Sequence, residues 1–498
     1  MQNSYVLTID LGSSKLRVSL HPKEKPWLIV ETLAKKYRVY KPLDPNSFSS
    51  HFSEAELWQR VSSVVSQISK KVRKEEIIAI SVTSQRGGLV LLDSQGKTIH
   101  VAPNTDLRAV FEGIKIDQDY GTTLYGLTGH VPALFFAPSK VQWWKNNHPR
   151  IAKRISKASS LGSWLTYKLS GEISIVPTDL SELGLLDPGT MDLPYQILKS
   201  LEFDKELIPN VLPEGTSVGK IQNSVADLLG VSNQAEIFLA GPDTHTSILS
   251  MGNIHSGEGG VVAGWSGPVH LTTQRPIFDK LHRTITGPSL FPKSFYLEAN
   301  SGAIGGTLEV IKTLLGGRAS SSKFEGLIAK SRRNSNYVVS SLGPHAYDLS
   351  MPAMSMGGML FPTPITHHQI LPAHIARAAI ENVAFAIRQS LDLCLEISQS
   401  SLLGPFGLSG GFASGGIFCQ ILADVLNRPV NQFSPFGSSI GSAIIAGVDR
   451  SEWGTVISEV KKQARLIEPD VRGVIEYKEG FERWEHFSSD VGKLIDTL

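Results

Sequence analysis

The run Val6-Leu7-Thr8-Ile9-Asp10-Leu11-Gly12-Ser13-Ser14-Lys15-Leu16-Arg17 permits few folds. An apolar stretch ends beside a carboxylate, turns at once through Gly-Ser-Ser, and resumes as the alternation Leu16, Val18, Leu20. A buried strand followed by a half-buried partner predicts a hairpin with Asp10 at its tip. The same grammar returns at Gly259-Gly260-Val261-Val262-Ala263, a turn Gly264-Trp265-Ser266-Gly267, and alternating Val269, Leu271 and Thr273. Aligned on Gly12 and Gly264, the second copy has Val262 where the first has Asp10, so only the first hairpin brings a carboxylate. A degenerate repeat in 498 residues exceeds the ~250–300 residues at which single cores stop growing. The expectation is two domains, 1–253 and 254–498.

Between the hairpins, Ser53 opens a helical stripe with Glu56 three residues on and Leu57, Val61, Val64, Val65 and Ile68 on one face. Ile77 to Thr83 then reads as a buried strand, which makes the unit α/β with helices covering a mixed sheet. Further helices are predicted from about His374 to Glu396, from Ile417 to Leu426 ahead of Pro429, and in the segment from Val474 that carries Tyr477, Phe481 and Trp484. The small residues of Gly441–Gly447 predict close packing or close approach of a ligand.

Composition closes several routes. The net charge of +2 leaves no electrostatic footprint for nucleic acid, and Lys70–Lys74 reads as the wet end of a helix. Two cysteines, Cys394 and Cys419, sit among apolar neighbours and predict buried thiols in a reducing compartment. Strand pattern starts by Tyr5, which argues against a signal peptide, and no apolar run approaches the ~18 residues that span a bilayer. The expectations are a cytoplasmic location, no nucleic-acid or membrane partner, and a homodimer as the one assembly entertained.

Asp10 suits metal and phosphate, with backbone N–H groups at Gly12 and hydroxyls at Ser13 and Ser14, although it also reads as an Asp capping a turn. Asp243 follows the apolar strand Phe238-Leu239-Ala240-Gly241-Pro242 and precedes small residues able to start a helix, so it reads either as a general base at a cleft or as an N-cap. The glycine loop Gly407–Gly416 precedes a helix and fits a nucleotide. It also matches G-x-S-x-G, which raises a hydrolase with Ser409 as nucleophile; only His486 follows, and extra glycines separate the serine from its helix. Gly96-Lys97-Thr98 lacks the leading glycine of a P-loop, since Leu91 stands there, and reads as a turn. His367-His368 has no companions at metal-ligand spacing.

The ordered set Asp10–Ser14, Thr83–Gly88, Asn104–Ala109, Gly241-Pro242-Asp243, Gly410-Gly411 and Gln420–Val430 resembles the FGGY-family carbohydrate kinases over nearly the whole chain. The resemblance implies two ribonuclease-H-like α/β domains of the actin, hexokinase and sugar-kinase superfamily, with ATP and sugar meeting in an interdomain cleft. It implies Asp10 as the Mg2+ residue and Asp243 as the base toward a sugar hydroxyl. Gly12, Ser13, Ser14, Lys15, Gly264, Ser266, Gly410, Gly411 and Gly415 would serve the nucleotide, and Gln85, Arg86, Asp106, Arg108 and Thr244 the sugar. The implied substrates are a pentulose such as xylulose, a polyol or a related linear sugar.

Departures from the family pattern fall mainly in the nucleotide half. Trp265 stands where relatives have the Thr of a Gly-Thr pair, Phe436 where they have Glu, and Phe412 and Ser414 interrupt the loop; Gly343–Asp348 replaces a Gly-Glu-Arg-x-Pro-like segment. In the sugar half, Arg86-Gly87 replaces the Met-His of ordinary xylulokinases and is similar to glycerol kinases and bacterial quorum-signal kinases. Trp265 and Phe436 motivate a second expectation, a non-catalytic sugar sensor on the same fold.

Overall fold

A computed structural model describes residues 4–13, 15–42, 48–316, 321–343, 357–362 and 369–495. Ser14, His367-His368 and Pro344–Asp348 lie outside the described residues.

Two mixed sheets share one plan. In the first, Tyr5–Leu11 pairs antiparallel with Lys15–Pro22, which pairs with Glu31–Lys36; on its other side Tyr5–Leu11 runs parallel to Ile77–Ser84, which runs parallel to Glu236–Pro242. In the second, Gly259–Val262 pairs antiparallel with Pro268–Thr273 and parallel with Phe406–Ser409, which is followed by the parallel Val430–Gln432. In both sheets the hairpin's first strand holds the centre. Leu16, Val18 and Leu20 on one face of the second hairpin strand and Ser19 and His21 on the other are all fully buried, so this strand is covered on both faces instead of half-buried.

The predicted helices form with small changes at their ends. Glu54–Ser69 starts at Ser53, whose side chain accepts from the Glu56 N–H. Pro372–Ser398 is a 27-residue helix across the second sheet, and Gly416–Leu426 stops at Asn427 in the left-handed region before Pro429. Val471–Ile495 docks through Tyr477, Phe481 and Trp484 against Phe385. Cys394 and Cys419 are free and buried. Among the described residues no helix is long and apolar enough to cross a membrane.

An insertion between Ile77–Ser84 and Ser217–Lys220 builds one wall of the site. It contains a three-stranded sheet of Thr98–Ala102, Leu89–Asp93 and Ile155–Ser160 over its own apolar cluster with Leu89, Val141 and Leu183. The small-residue helix Gly437–Gly447 joins the halves. Ala443 packs on Val6 and Ala79 of the first sheet, and the Ser442 hydroxyl meets the Ser81 hydroxyl at 2.8 Å. A methyl group at Gly441 would land on the Thr246 carbonyl, so this helix approaches its neighbour more closely than any residue with a Cβ allows.

Candidate active site

Three parallel strands of the first sheet end at the same level. In register, Asp10 faces Thr83 and Gly241 faces Thr83 from the other side, so Asp10, the Gln85-Arg86 turn and Asp243 leave the carboxyl ends of adjacent strands. Strands lie about 4.8 Å apart, which puts the two aspartate-bearing ends on the order of 10 Å apart across the crevice where open α/β sheets bind ligands. The two carboxyls feel each other: burial first, then the Asp10 charge, pushes Asp243 up to about 7.

Asp10 is 5% exposed and held by both halves of the chain. Ser438, in the first turn of Gly437–Gly447, donates to its Oδ2 at 2.7 Å, and Arg17 Nη1 reaches the same oxygen at 3.4 Å. Burial raises the Asp10 pKa, opposed by Arg17 and Ser438. Its Oδ1 is buried without a partner. An anionic oxygen in that position is costly unless a cation or donor completes it, so the carboxylate fits a metal ion. Phe436, one of the departures, carries the Arg17 guanidinium 4.8 Å from its ring centroid and so supports the cation beside Asp10.

Asp243 begins the helix Asp243–Ser250, and its Oδ1 accepts from the Thr244 N–H at 2.7 Å and the Thr244 hydroxyl at 3.4 Å. The capping reading is corrected: Pro242 holds the N-cap position, no side chain caps the helix, and Asp243 is its first residue, with one oxygen of the candidate base fixed by the next backbone N–H.

The wall beside Asp243 is built from side chains. Gln85 is 2% exposed; its Nε2 donates to Tyr37 Oη at 3.4 Å and its Oε1 accepts from the Asn104 N–H at 3.0 Å. Asn104 Nδ2 reaches the Ser13 hydroxyl at 3.5 Å. Burial, then Asp10, then Asp243 raise the Tyr37 pKa, which puts this phenol within the field of both carboxylates. Arg86 crosses to the second sheet: its two terminal nitrogens donate to Glu298 at 2.7 and 2.6 Å, and Nη1 lies 3.6 Å from Glu182 Oε1. Burial favours loss of the Arg86 proton, but Glu298 and then Glu182 hold it charged. Burial likewise opposes ionisation of Glu298, and Arg86 and His270 outweigh it, holding this carboxyl well below the usual range.

Asp106 and Arg108 are brought to each other. Asp106 is fully buried, accepts from Arg108 Nε at 2.7 Å and from the Ser50 N–H at 2.8 Å, while the Arg108 guanidinium lies 4.8 Å from the Trp143 ring centroid. This clasp supports the Asn104 segment from behind.

Backbone builds the opposite edge. Val262 and Ser409 are partners in the parallel pair, so Gly264 and Gly410-Gly411 follow adjacent strand ends. A Cβ at Gly264 or Gly411 would meet nothing within 4 Å, whereas one at Gly410, where φ is +90°, would lie 2.6 Å from the Ala263 carbonyl oxygen. Gly415 has Glu325 Oε1 at 2.7 Å from the same construction. Trp265 is 54% exposed and lies over Gly306, with ring carbons 3.0 Å from where a Cβ would be; Ser266 accepts from the Gly264 N–H at 3.0 Å through its carbonyl. Open glycine backbone at strand ends of the second sheet and a carboxylate with an orphaned oxygen at a strand end of the first fit a magnesium–nucleotide pair. Lys15 is exposed and opens the second hairpin strand.

Ser409 corrects the hydrolase expectation. It is fully buried and donates its hydroxyl to the Ser434 carbonyl at 2.9 Å, so it presents no nucleophile to a substrate. The sensor expectation is also not favoured. The Trp265 ring rests on the following helix and leaves Gly264 open, and Phe436 supports Arg17 instead of blocking Asp10.

Two like α/β units meeting at a crevice with acidic strand ends on one side and glycine backbone on the other define a sugar-kinase-type phosphotransferase. The chain matches the N-terminal domain of the FGGY family of carbohydrate kinases over residues 5–250 and its C-terminal domain over 263–449. It belongs to that family, whose members phosphorylate sugars with ATP. It is 26% identical to a Bacillus subtilis protein named as a sugar kinase, YoaC, covering 93% of both chains. It is 24% identical to the autoinducer-2 kinase of Salmonella typhimurium, covering 99% of this chain and 95% of that one. A gluconate kinase from Lactobacillus acidophilus superposes with a TM-score of 0.84 at 17% identity, covering 99% and 100%, which shows the shared fold.

Sequence reasoning missed Tyr37, Glu182, His270, Glu298 and Ser438. The available signal was a charged or polar residue inside an apolar strand, Leu297-Glu298-Ala299 and Val269-His270-Leu271, which demands a buried partner.

Proposed function

We propose that the chain transfers a phosphoryl group to one hydroxyl of a pentulose such as xylulose, a polyol or a related linear sugar, in a cleft between a sugar domain, 1–253, and a nucleotide domain, 254–498. The observation that carries this reading is the pair of carboxylates at the ends of two parallel strands that flank Ile77–Ser84, one buried and held by Arg17 and Ser438 and the other pushed up to about 7. Asp243 is the base: a carboxylate with that proton affinity is available at neutral pH and takes an alcohol proton more readily than an ordinary aspartate. Thr244 fixes one of its oxygens. Arg86, Gln85 and Tyr37 orient the acceptor, with Asp106 and Arg108 bracing the wall behind them.

Asp10 would hold Mg2+ through its orphaned oxygen, Gly12, Ser13, Ser14, Lys15 and Ser266 would border the phosphates, and Gly264, Gly410, Gly411 and Gly415 the rest of ATP. When bound, Mg-ATP supplies the phosphoryl group and neutralises its charge.

Coupled ADP release over a panel of ketoses, polyols and quorum-signal precursors tests the reading. At least one acceptor is expected to turn over, and Asp243→Asn is expected to lower kcat by ~10²–10⁴-fold with sugar binding retained in calorimetry. Full turnover by the variant ends the assignment of the base.

A further inference from the structure

We propose that Glu298, with its cross-strand partner His270, converts Arg86 into a charge-balanced fixed fork and thereby makes the cleft selective for uncharged polyhydroxyl acceptors over sugar acids. The proposal rests on the reading of this cleft as the sugar site, and names its substrate class.

An arginine at a sugar cleft ordinarily attracts carboxylates, because its planar fork matches two oxygens. Here that fork is already occupied. Both terminal nitrogens bind the two oxygens of Glu298. Glu182 Oε1 lies 3.6 Å from the same group, so two carboxylates face one guanidinium. Glu298 and His270 are register partners on the antiparallel strands Phe295–Asn300 and Pro268–Thr273, and their side chains hydrogen-bond through His270 Nε2. Tyr296 stacks on His270 with ring centroids 4.7 Å apart, and its hydroxyl contacts His130 Nε2 at 3.2 Å. His245, two residues after Asp243, packs edge-on against both rings and has no hydrogen-bond partner at either nitrogen.

Charge decides the outcome. With His270 neutral the Arg86–Glu182–Glu298–His270 group sums to −1, and with His270 protonated it sums to zero. Burial keeps His245 uncharged, so it adds no cation. In neither state does the wall offer positive charge, and the acceptor also meets Asp243. A sugar acid therefore brings its carboxylate against anions in a poorly solvated site, whereas a polyol of the same length brings only hydroxyls. Because Arg86 belongs to the insertion side and Glu298 to the second sheet, the pair also ties the two halves at the acceptor position.

The test is binding of matched polyol and aldonate pairs of three, five and six carbons, glycerol with glycerate, xylitol with xylonate and glucitol with gluconate, to the full chain by calorimetry. Within the pair that binds best, the polyol is expected to bind at least about tenfold more tightly, and Glu298→Gln, which removes one of the facing charges, to shrink that ratio about tenfold. Glu182→Gln is expected to shift it in the same direction, and keeps the test open should E298Q fail to fold. A wild-type preference for the aldonate, or an unchanged ratio in the folded variants, overturns the proposal. Polyol selectivity without ADP release under Mg-ATP overturns the kinase reading and leaves this one standing; binding of no member of any pair overturns both.

Discussion

The two edges of the cleft are built in different ways. The Asp243 edge is a network of buried side chains, each with named partners, whereas the Gly264 and Gly410 edge is nearly bare backbone. A side-chain wall distinguishes one acceptor from another because every partner has a fixed position and charge; a backbone wall accommodates phosphates, which are alike in every nucleotide. Of the departures from the family pattern, the Trp265 ring rests on Gly306 and leaves the Gly264 backbone open, and the Phe436 ring carries the Arg17 guanidinium.

The comparison can be broken first at Asp243, where the ~10²–10⁴-fold loss in turnover expected of Asp243→Asn is the largest effect. Next, Arg86→Ala leaves Glu298 and Glu182 buried without their cation. A loss of about 3–5 kcal/mol in denaturant-unfolding stability is expected, as for other broken buried pairs. Ser438→Ala removes a hydroxyl donated to Asp10 at 2.7 Å and is expected to weaken Mg2+ activation several-fold while sugar affinity stays unchanged; titration of Mg2+ against initial rate reads both.

A smaller effect appears in stability against pH. The Asp243 pKa lies above its unfolded value, so its contribution is fully present below pH ~4 and is lost as pH rises through about 7. In metal-free and nucleotide-free buffer, Asp243→Asn is expected to gain on the wild type in Tm by on the order of 2–4 °C between pH 4 and 8. A gap that narrows with pH would contradict the effects of burial and of the Asp10 charge on Asp243. Smallest of all, Gly264→Ala is expected to change stability by no more than about 0.5 kcal/mol, since its Cβ meets open space. A large rise in the KM for ATP with the fold intact would show that the nucleotide approaches this backbone closely.

Much of this molecule was legible in its sequence. The repeated strand-turn-strand grammar predicted both hairpins, and Val262 in place of Asp10 predicted that one alone would be acidic. The stripes at Leu57–Ile68 and Ile417–Leu426 became helices because helical burial is periodic and local. Asp10 and Asp243 were readable because each ends a strand, and strand ends are local events. Asp106 and Arg108 were located without their arrangement, since nothing in their spacing says that they bind each other. Arg86 was read as a sugar contact, yet its Glu298 partner lies 212 residues away, beyond any periodic signal.

The sequence by itself determined the elements, the duplicated plan and the two acidic strand ends, because hydrophobic periodicity and turn chemistry act over a few residues. Tertiary structure alone decided what those carboxylates touch, which cation is balanced and which helix joins the halves. Coulomb and hydrogen-bond energies depend on distance through space, and chain separation carries no record of it.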